Sequence, residues 1–321
     1  MERGPIDGLG RPQIIKHGTV DIDLVETNPV VFRGRLYRLE CVRERYWANE
    51  TGRTYSRFVD YETGDATPAF ALDLLFTCAF VDDDTIYVTG TIHADDRQLG
   101  KIMICSSRDL QSWDSRTAID LPGFGIFNTS ICKADGRYVL MFEIDRPTDQ
   151  CGVPFTARFA TSADMKNWEV TPPECHYEKD RYTAPHCLRY LDGYFYNFYL
   201  EWVEAHSEYE QYVVRSKDLI HWEQSPLNPV LRLSAEDKLI ANDRFTPEQR
   251  NHIAGALNRN NSDIDFCEFD GRLVIIYSWG DQERYEFLAS AEYRGTLAQF
   301  LSGWFPENSS QLRPVPPANR E

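Results

Sequence analysis

Four carboxylates stand where apolar strands should begin or end. Glu143 closes the run Tyr138-Val139-Leu140-Met141-Phe142, and Glu201 closes an aromatic run that starts at Tyr194. Asp263 and Asp265 lie two residues apart at the head of a third run, so a regular strand turns both to one side. Carboxylates gathered in a partly buried site raise one another's pKa. A raised carboxyl can give up a proton near neutral pH while an ionised neighbour serves as base or nucleophile, the division of labour that cuts glycosidic bonds. On this reading Glu201 or Glu143 is the proton donor, and Asp263 activates water or steadies developing positive charge. Asn28 and Asn128, His186, His93 and Asp265 are candidate partners for hydroxyl groups, and Trp279 or Trp47 offers a stacking surface. Each has a plainer reading. A Glu at a strand end is often the first solvated residue, a lone His is usually a satisfied core group, and Asn or Asp often ties a turn.

The elements that must position these groups are strands. The chain repeats Ser-x-Asp-(Leu/Met)-x-x-Trp at Ser107–Trp113, Ser162–Trp168 and Ser216–Trp222, with the aspartates about 55 residues apart. A period of this length with several short strands per copy is the pattern of propeller blades. One small twisted sheet cannot bury both faces alone, whereas sheets stacked around an axis can. The Asp can accept backbone N–H bonds within the turn between third and fourth strands, and the Trp can fill the gap between blades. The clearest unit predicts strands over 186–190, 194–201 and 211–215 and a fourth opening at Trp222. Other units open at 27–32, 74–81, 127–132 and 261–267, with turns at Arg33-Gly34, Asp82-Asp83-Asp84, Asp135-Gly136, Asp192-Gly193 and Asp270-Gly271. The expectation is an all-β, five-bladed β-propeller with four-stranded antiparallel blades around a central channel. The first blade is irregular because residues 46–70 are polar and lack the repeated turn. Residues 232–258 read as an inserted helix or loop, and 297–305 as a short helix over an edge. In domain terms, 1–20 is an arm or closing strand, 21–305 one propeller domain and 306–321 a tail.

In such a ring the innermost strand of each blade starts, and the antiparallel second strand ends, on the same face. The candidate residues therefore converge on one mouth of the channel, together with Asp73, Thr183, Pro185, Asn261 and Ser262 at strand starts and Glu40, Asp145 and Asp281 at strand ends.

Composition narrows the classes of function. A net charge of −16 disfavours nucleic acid and anionic membranes. No apolar run is long enough to span a bilayer and no signal-peptide pattern follows Met1, which leads to an expectation of a cytoplasmic protein. The eight cysteines form no CxxC pair; Cys78, Cys132, Cys187 and Cys267 recur in opening strands as small buried hydrophobes. No nucleotide or redox-cofactor motif is present, and although the carboxylates could take a calcium ion, their spacing does not require one.

These residues resemble the five-bladed β-propeller glycoside hydrolases, the superfamily that includes families 43, 62, 32, 68 and 117. The resemblance rests on the three repeated turns, on Asn28-Pro29 with Gly34 and Tyr37, and on Thr183-Ala184-Pro185-His186 followed by Gly193-Tyr194-Phe195-Tyr196, and it spans residues 24–295. It implies a carbohydrate substrate and, by similarity to family 43, an inverting acid/base mechanism. It also implies departures. The family 43 general base falls on Asn28, its blade-three aspartate on Asn128 or a neighbour, and its acid on Thr183. The carboxylates would then be relocated to Glu143, Glu201 and the fifth blade. Two other classes are consistent with the replacements: a non-catalytic carbohydrate-binding propeller, and a scaffold that binds a protein through its irregular first-blade loops.

Overall fold

The computed structural model describes residues 4–94, 97–282 and 284–306. The tail expected at 306–321 lies outside the described residues from 307 onward. Among the described residues, twenty strands form five antiparallel sheets. The first blade is β2 (Asn28–Phe32), β3 (Arg35–Val42) and β4 (Tyr55–Asp60). The second is β5 (Leu74–Asp82), β6 (Thr85–Ala94), β7 (Arg97–Ser107) and β8 (Asp114–Asp120). The third runs β9 (Gly125–Ala134), β10 (Arg137–Arg146), β11 (Thr156–Ser162) and β12 (Glu169–Val170), with β13 (His176–Tyr177) also paired to β11. The fourth is β14 (His186–Leu191), β15 (Tyr194–Val203), β16 (Glu208–Ser216) and β17 (Trp222–Gln224). The fifth is β18 (Asn260–Phe269), β19 (Arg272–Gly280) and β20 (Glu286–Tyr293), completed at its outer edge by β1 (Ile15–Ile22). The first and last parts of the chain thus share one sheet. The innermost strands touch in a closed ring, β2 to β5 to β9 to β14 to β18 and back to β2.

Local sequence explains the blades. Arg33-Gly34, Asp135-Gly136, Asp192-Gly193 and Asp270-Gly271 each place two successive residues at positive φ, the backbone of a two-residue hairpin whose twist matches its strands. Strands with both faces covered read as continuous apolar runs, as in β10 and β15. The repeated motif behaves the same way in all three copies. Asp109 Oδ1 accepts the N–H groups of Gln111 and Ser112, Asp164 Oδ1 those of Lys166 and Asn167, and Asp218 Oδ1 those of Ile220 and His221, all within 2.8–2.9 Å. The motif's tryptophans lie between blades: Trp113 stacks on Phe70 of the first-blade region at 3.8 Å, and Trp222 on Phe159 of the third at 6.0 Å. The motif is architectural.

The inserted segment forms a 3-10 turn over Ala235–Lys238. The first two helices are α1 (Thr148–Cys151), after β10, and α2 (Pro247–Gly255), in the insertion. The 3-10 turn is fastened to the fifth blade through buried Asp237, whose oxygens accept from Lys16 Nζ (2.7 Å), Tyr277 Oη (2.8 Å) and Asn261 Nδ2 (3.0 Å). α3 (Leu297–Gly303) buries Phe300 and Leu301, and Phe300 packs against Phe198 and Phe266.

Candidate active site

Bulges aim the side chains that matter. In β18 the pairing slips between Ser262 and Asp265, and Asp263 sits at φ +52. β5 slips between Leu75 and Cys78 with Phe76 at φ +54, and Glu26, just ahead of β2, adopts φ +51. In β9 the register shifts opposite Phe142 and Glu143, and the shift leaves Asn128 unpaired. In blades one, two, three and five, the irregular residue (Glu26, Phe76, Asn128 and Asp263) thus lines the central cavity. The bulge also separates two residues that a regular strand would have placed together. Asp263 rises into the upper cavity, while Asp265 lines only the deeper part of the channel.

The upper cavity, about 410 Å³, opens on the axis. Blades one and five give it a charged wall of Asp23, Glu26, Arg43, Asp263, Arg284 and Glu286. Blades two to four give an aromatic wall in which Phe76, Phe127, Phe155 and Tyr182 follow one another at ring separations of 5.3, 4.5 and 6.1 Å. Asn128 and Glu143, both on blade three, add polar groups to this second wall.

Glu143 is fully buried and fully engaged. Its Oε1 accepts the backbone N–H of His186 and lies against His186 Nδ1, both at 2.8 Å, and its Oε2 accepts from Asn128 Nδ2 at 2.9 Å. Asp263 accepts from the hydroxyls of Ser262 (2.6 Å) and Ser278. Burial raises its pKa above the ordinary carboxylate range, against those hydroxyls and Arg43, and Glu143 adds to the rise. Glu26 shares Nη2 of Arg43 between its two oxygens at 2.6 and 2.5 Å. Burial nonetheless pushes it up to about 7, because Asp263 and Glu143 offset part of the effect of Arg43. Glu286 accepts from Gln282 N–H (2.8 Å) and Asn260 Nδ2 (3.3 Å) through Oε1, while Oε2 is shut off from solvent with no hydrogen-bond partner. Burial first, then Asp263, pushes Glu286 up to about 8.

The residues singled out in the sequence divide into groups. Asp263, Glu143 and Asn128 line the upper cavity, and His186 lies beneath it, bound to Glu143. Asn28 and Asp265 are joined in the deeper channel. Asn28 Nδ2 donates to Asp265 Oδ2 at 2.8 Å, Asn28 Oδ1 accepts from Ala79 N–H at 3.1 Å, and Asp265 also holds Arg189. This network ties blades one, two, four and five together. Glu201 does not line the cavity, because β15 continues to Val203 and leaves Glu201 short of the strand end, where it pairs with Arg181 (3.3 Å) and Tyr199 Oη (3.0 Å). His93 is exposed opposite Gln98 on β6, away from the cavity. Trp279 is wholly buried, stacked on Phe287 at 4.4 Å and donating Nε1 to Thr19 Oγ1 at 3.0 Å, so it offers no face to a ligand.

Other carboxylates at strand ends have local partners. Glu40 is buried between Arg38 and Arg57, and Asp73 is exposed beside Arg53. Glu26 and Glu286 are cavity residues that strand-end reasoning does not reach. Glu26 stands two residues before Asn28, as Asp263 stands two before Asp265, and that parallel is the one signal in the sequence. Glu286 opens a third strand, whereas the mouth of the channel is expected to draw on first and second strands.

The eight cysteines are free thiols, seven of them buried. Among the described residues no group of three or more His, Cys, Asp or Glu side chains is arranged to hold a metal ion.

No protein-family model and no curated protein matches the chain. Solved structures do share its fold. The structure of a BT0996 RGII complex superposes with a TM-score of 0.58 at 12% identity over 89% of this protein and 94% of that one. An exo-1,5-alpha-L-arabinanase from a bovine ruminal metagenomic library gives 0.54 at 10% identity, over 85% and 93%. The Bombyx mori GH32 beta-fructofuranosidase BmSUC1 gives 0.56 at 12% identity, over 85% and 59%. The chain therefore has the five-bladed propeller fold seen in glycoside hydrolases of families 43 and 32.

Proposed function

We propose that this protein is a glycoside hydrolase whose reaction takes place in the upper cavity. The observation that carries the reading is the pairing of a carboxylate wall with an aromatic wall on the propeller axis. The apolar face of a sugar ring suits the aromatic side, and its hydroxyls and anomeric centre suit the charged side. Asp263 is the base that takes a proton from the attacking water. Glu286 is the proton donor, because it lines the cavity and a carboxyl held near 8 is protonated at neutral pH. Glu143, with both oxygens occupied, orients Asn128 and His186 and adds negative charge close to the developing positive charge on the sugar. Glu26, clamped by Arg43, is a further buried carboxyl of the charged wall, and Asp263 and Glu143 raise its pKa. Inversion of configuration is the stereochemical outcome the family resemblance favours.

The test is hydrolysis of aryl arabinofuranosides, xylosides, galactosides, fucosides and rhamnosides by wild type, Asp263→Asn, Glu286→Gln and Glu143→Gln, with the product anomer followed by NMR. Turnover that collapses in Asp263→Asn and Glu286→Gln supports these roles. Sugar binding without turnover in wild type would instead favour a carbohydrate-binding propeller.

A further inference from the structure

The rim of the cavity carries an aromatic group that the proposed chemistry does not use. Trp47 is 54% exposed and Tyr285 47% exposed, both large for side chains of their kind. Between them sits His252 of α2. Its imidazole stacks on the Trp47 indole at 5.9 Å and 13°, and meets Tyr285 edge-on at 4.8 Å. The imidazole lies parallel to the indole and leaves more than half of Trp47 exposed. The three rings come from three separate places: the loop between β3 and β4, the inserted helix, and the loop before β20.

Hydrogen bonds fix the loop of Trp47 and place the platform beside residues that line the cavity. Asn49 staples the loop of Trp47, its Nδ2 donating to the carbonyls of Arg43 (3.0 Å) and Arg53 (2.7 Å) and its Oδ1 accepting the N–H of Gly52 (2.8 Å). The backbone N–H of Trp47 donates to Asp23, which lines the cavity, and Tyr285 directly follows Arg284, which also lines it. A fixed aromatic face with polar groups at its border fits a sugar ring, which presents an apolar face and equatorial hydroxyls together.

We propose that Trp47, with His252 and Tyr285, forms a second carbohydrate subsite that holds sugar units next to the one in the cavity, so the protein acts on oligosaccharide chains in preference to single glycosides. This rests on the glycoside hydrolase reading above. The subsite gives the irregular first blade and the insertion a shared role, since each supplies one face of it.

Two measurements keep the subsite and the activity separable. The first compares kcat/KM for an aryl glycoside with that for the matching tri- and tetrasaccharides. Trp47→Ala should lower the ratio of oligosaccharide to aryl-glycoside kcat/KM about tenfold, with Trp47→Phe restoring most of it. The second titrates Asp263→Asn with arabino-, xylo- and galacto-oligosaccharides of one to five units and follows tryptophan emission. A shift that grows with chain length and disappears in Asp263→Asn/Trp47→Phe supports the subsite. Equal loss on short and long substrates, or a titration indifferent to Trp47 or silent with every oligosaccharide, overturns it. Absence of hydrolysis by wild type counts against the activity alone, because the titration needs no turnover.

Discussion

Replacing Glu286 by Gln tests the electrostatics of the cavity most directly. The amide keeps an acceptor where Oε1 meets Gln282 N–H and Asn260 Nδ2, and removes only the ability to ionise. The carboxyl titrates near 8 in the folded protein against an ordinary 4.5. Between those values the folded state binds the proton more tightly than the unfolded chain. Its contribution to stability is therefore complete below about 4.5 and is lost as pH rises through about 8. The full difference corresponds to at most about 5 kcal/mol, and partial exposure with local relaxation brings the expectation to about 2–3 kcal/mol. Urea denaturation of wild type and Glu286→Gln at pH 5, 7 and 9 reads this directly, since other titrating groups largely cancel between them. The variant should gain on wild type by that amount from pH 5 to pH 9, and its kcat/KM should fall by about 10²–10⁴. A stability difference that does not change with pH would refute the claim that Glu286 is held protonated, and with it the role of proton donor.

Three further outcomes follow from the same geometry. Wild-type kcat/KM should describe a bell, with an alkaline limb near the value of about 8 for Glu286 and an acid limb above the ordinary 3.8 of an aspartate, read from a pH series on any hydrolysed aryl glycoside. Asp265→Ala should cost about 3–5 kcal/mol in chemical denaturation, because it leaves Arg189 buried without its carboxylate and frees Asn28, whereas Asp73→Ala at its exposed pair should leave stability nearly unchanged. Glycosides of uronic acids should be poorer substrates than the matching neutral sugars, since even with Glu286 protonated the carboxyl groups of Asp23, Glu26, Glu143 and Asp263 outnumber Arg43 and Arg284, and competition assays at low and high salt would show the discrimination weaken with salt.

The blade architecture was legible because its causes are local. A Ser-x-Asp turn bonds within five residues, an Asp-Gly hairpin needs two positive φ values, and an apolar run between such turns makes a strand wherever it lies. Asp263 and Glu143 were legible for a related reason: strand direction carries the chain back to the same mouth of the channel. What tertiary structure alone decided is which of many similar carboxylates meet. The bulge in β18 parts Asp263 from Asp265, although sequence parity unites them. Two residues of extra strand in β15 leave Glu201 to Arg181, and the packing of β1 against β20 buries Trp279 beside Thr19. Glu26 and Glu286 enter the cavity only because ring closure brings the first and last blades together at one wall. Local bonding determines the blades from sequence, whereas the site depends on one-residue shifts and on contacts between residues more than 200 positions apart, which no local pattern encodes.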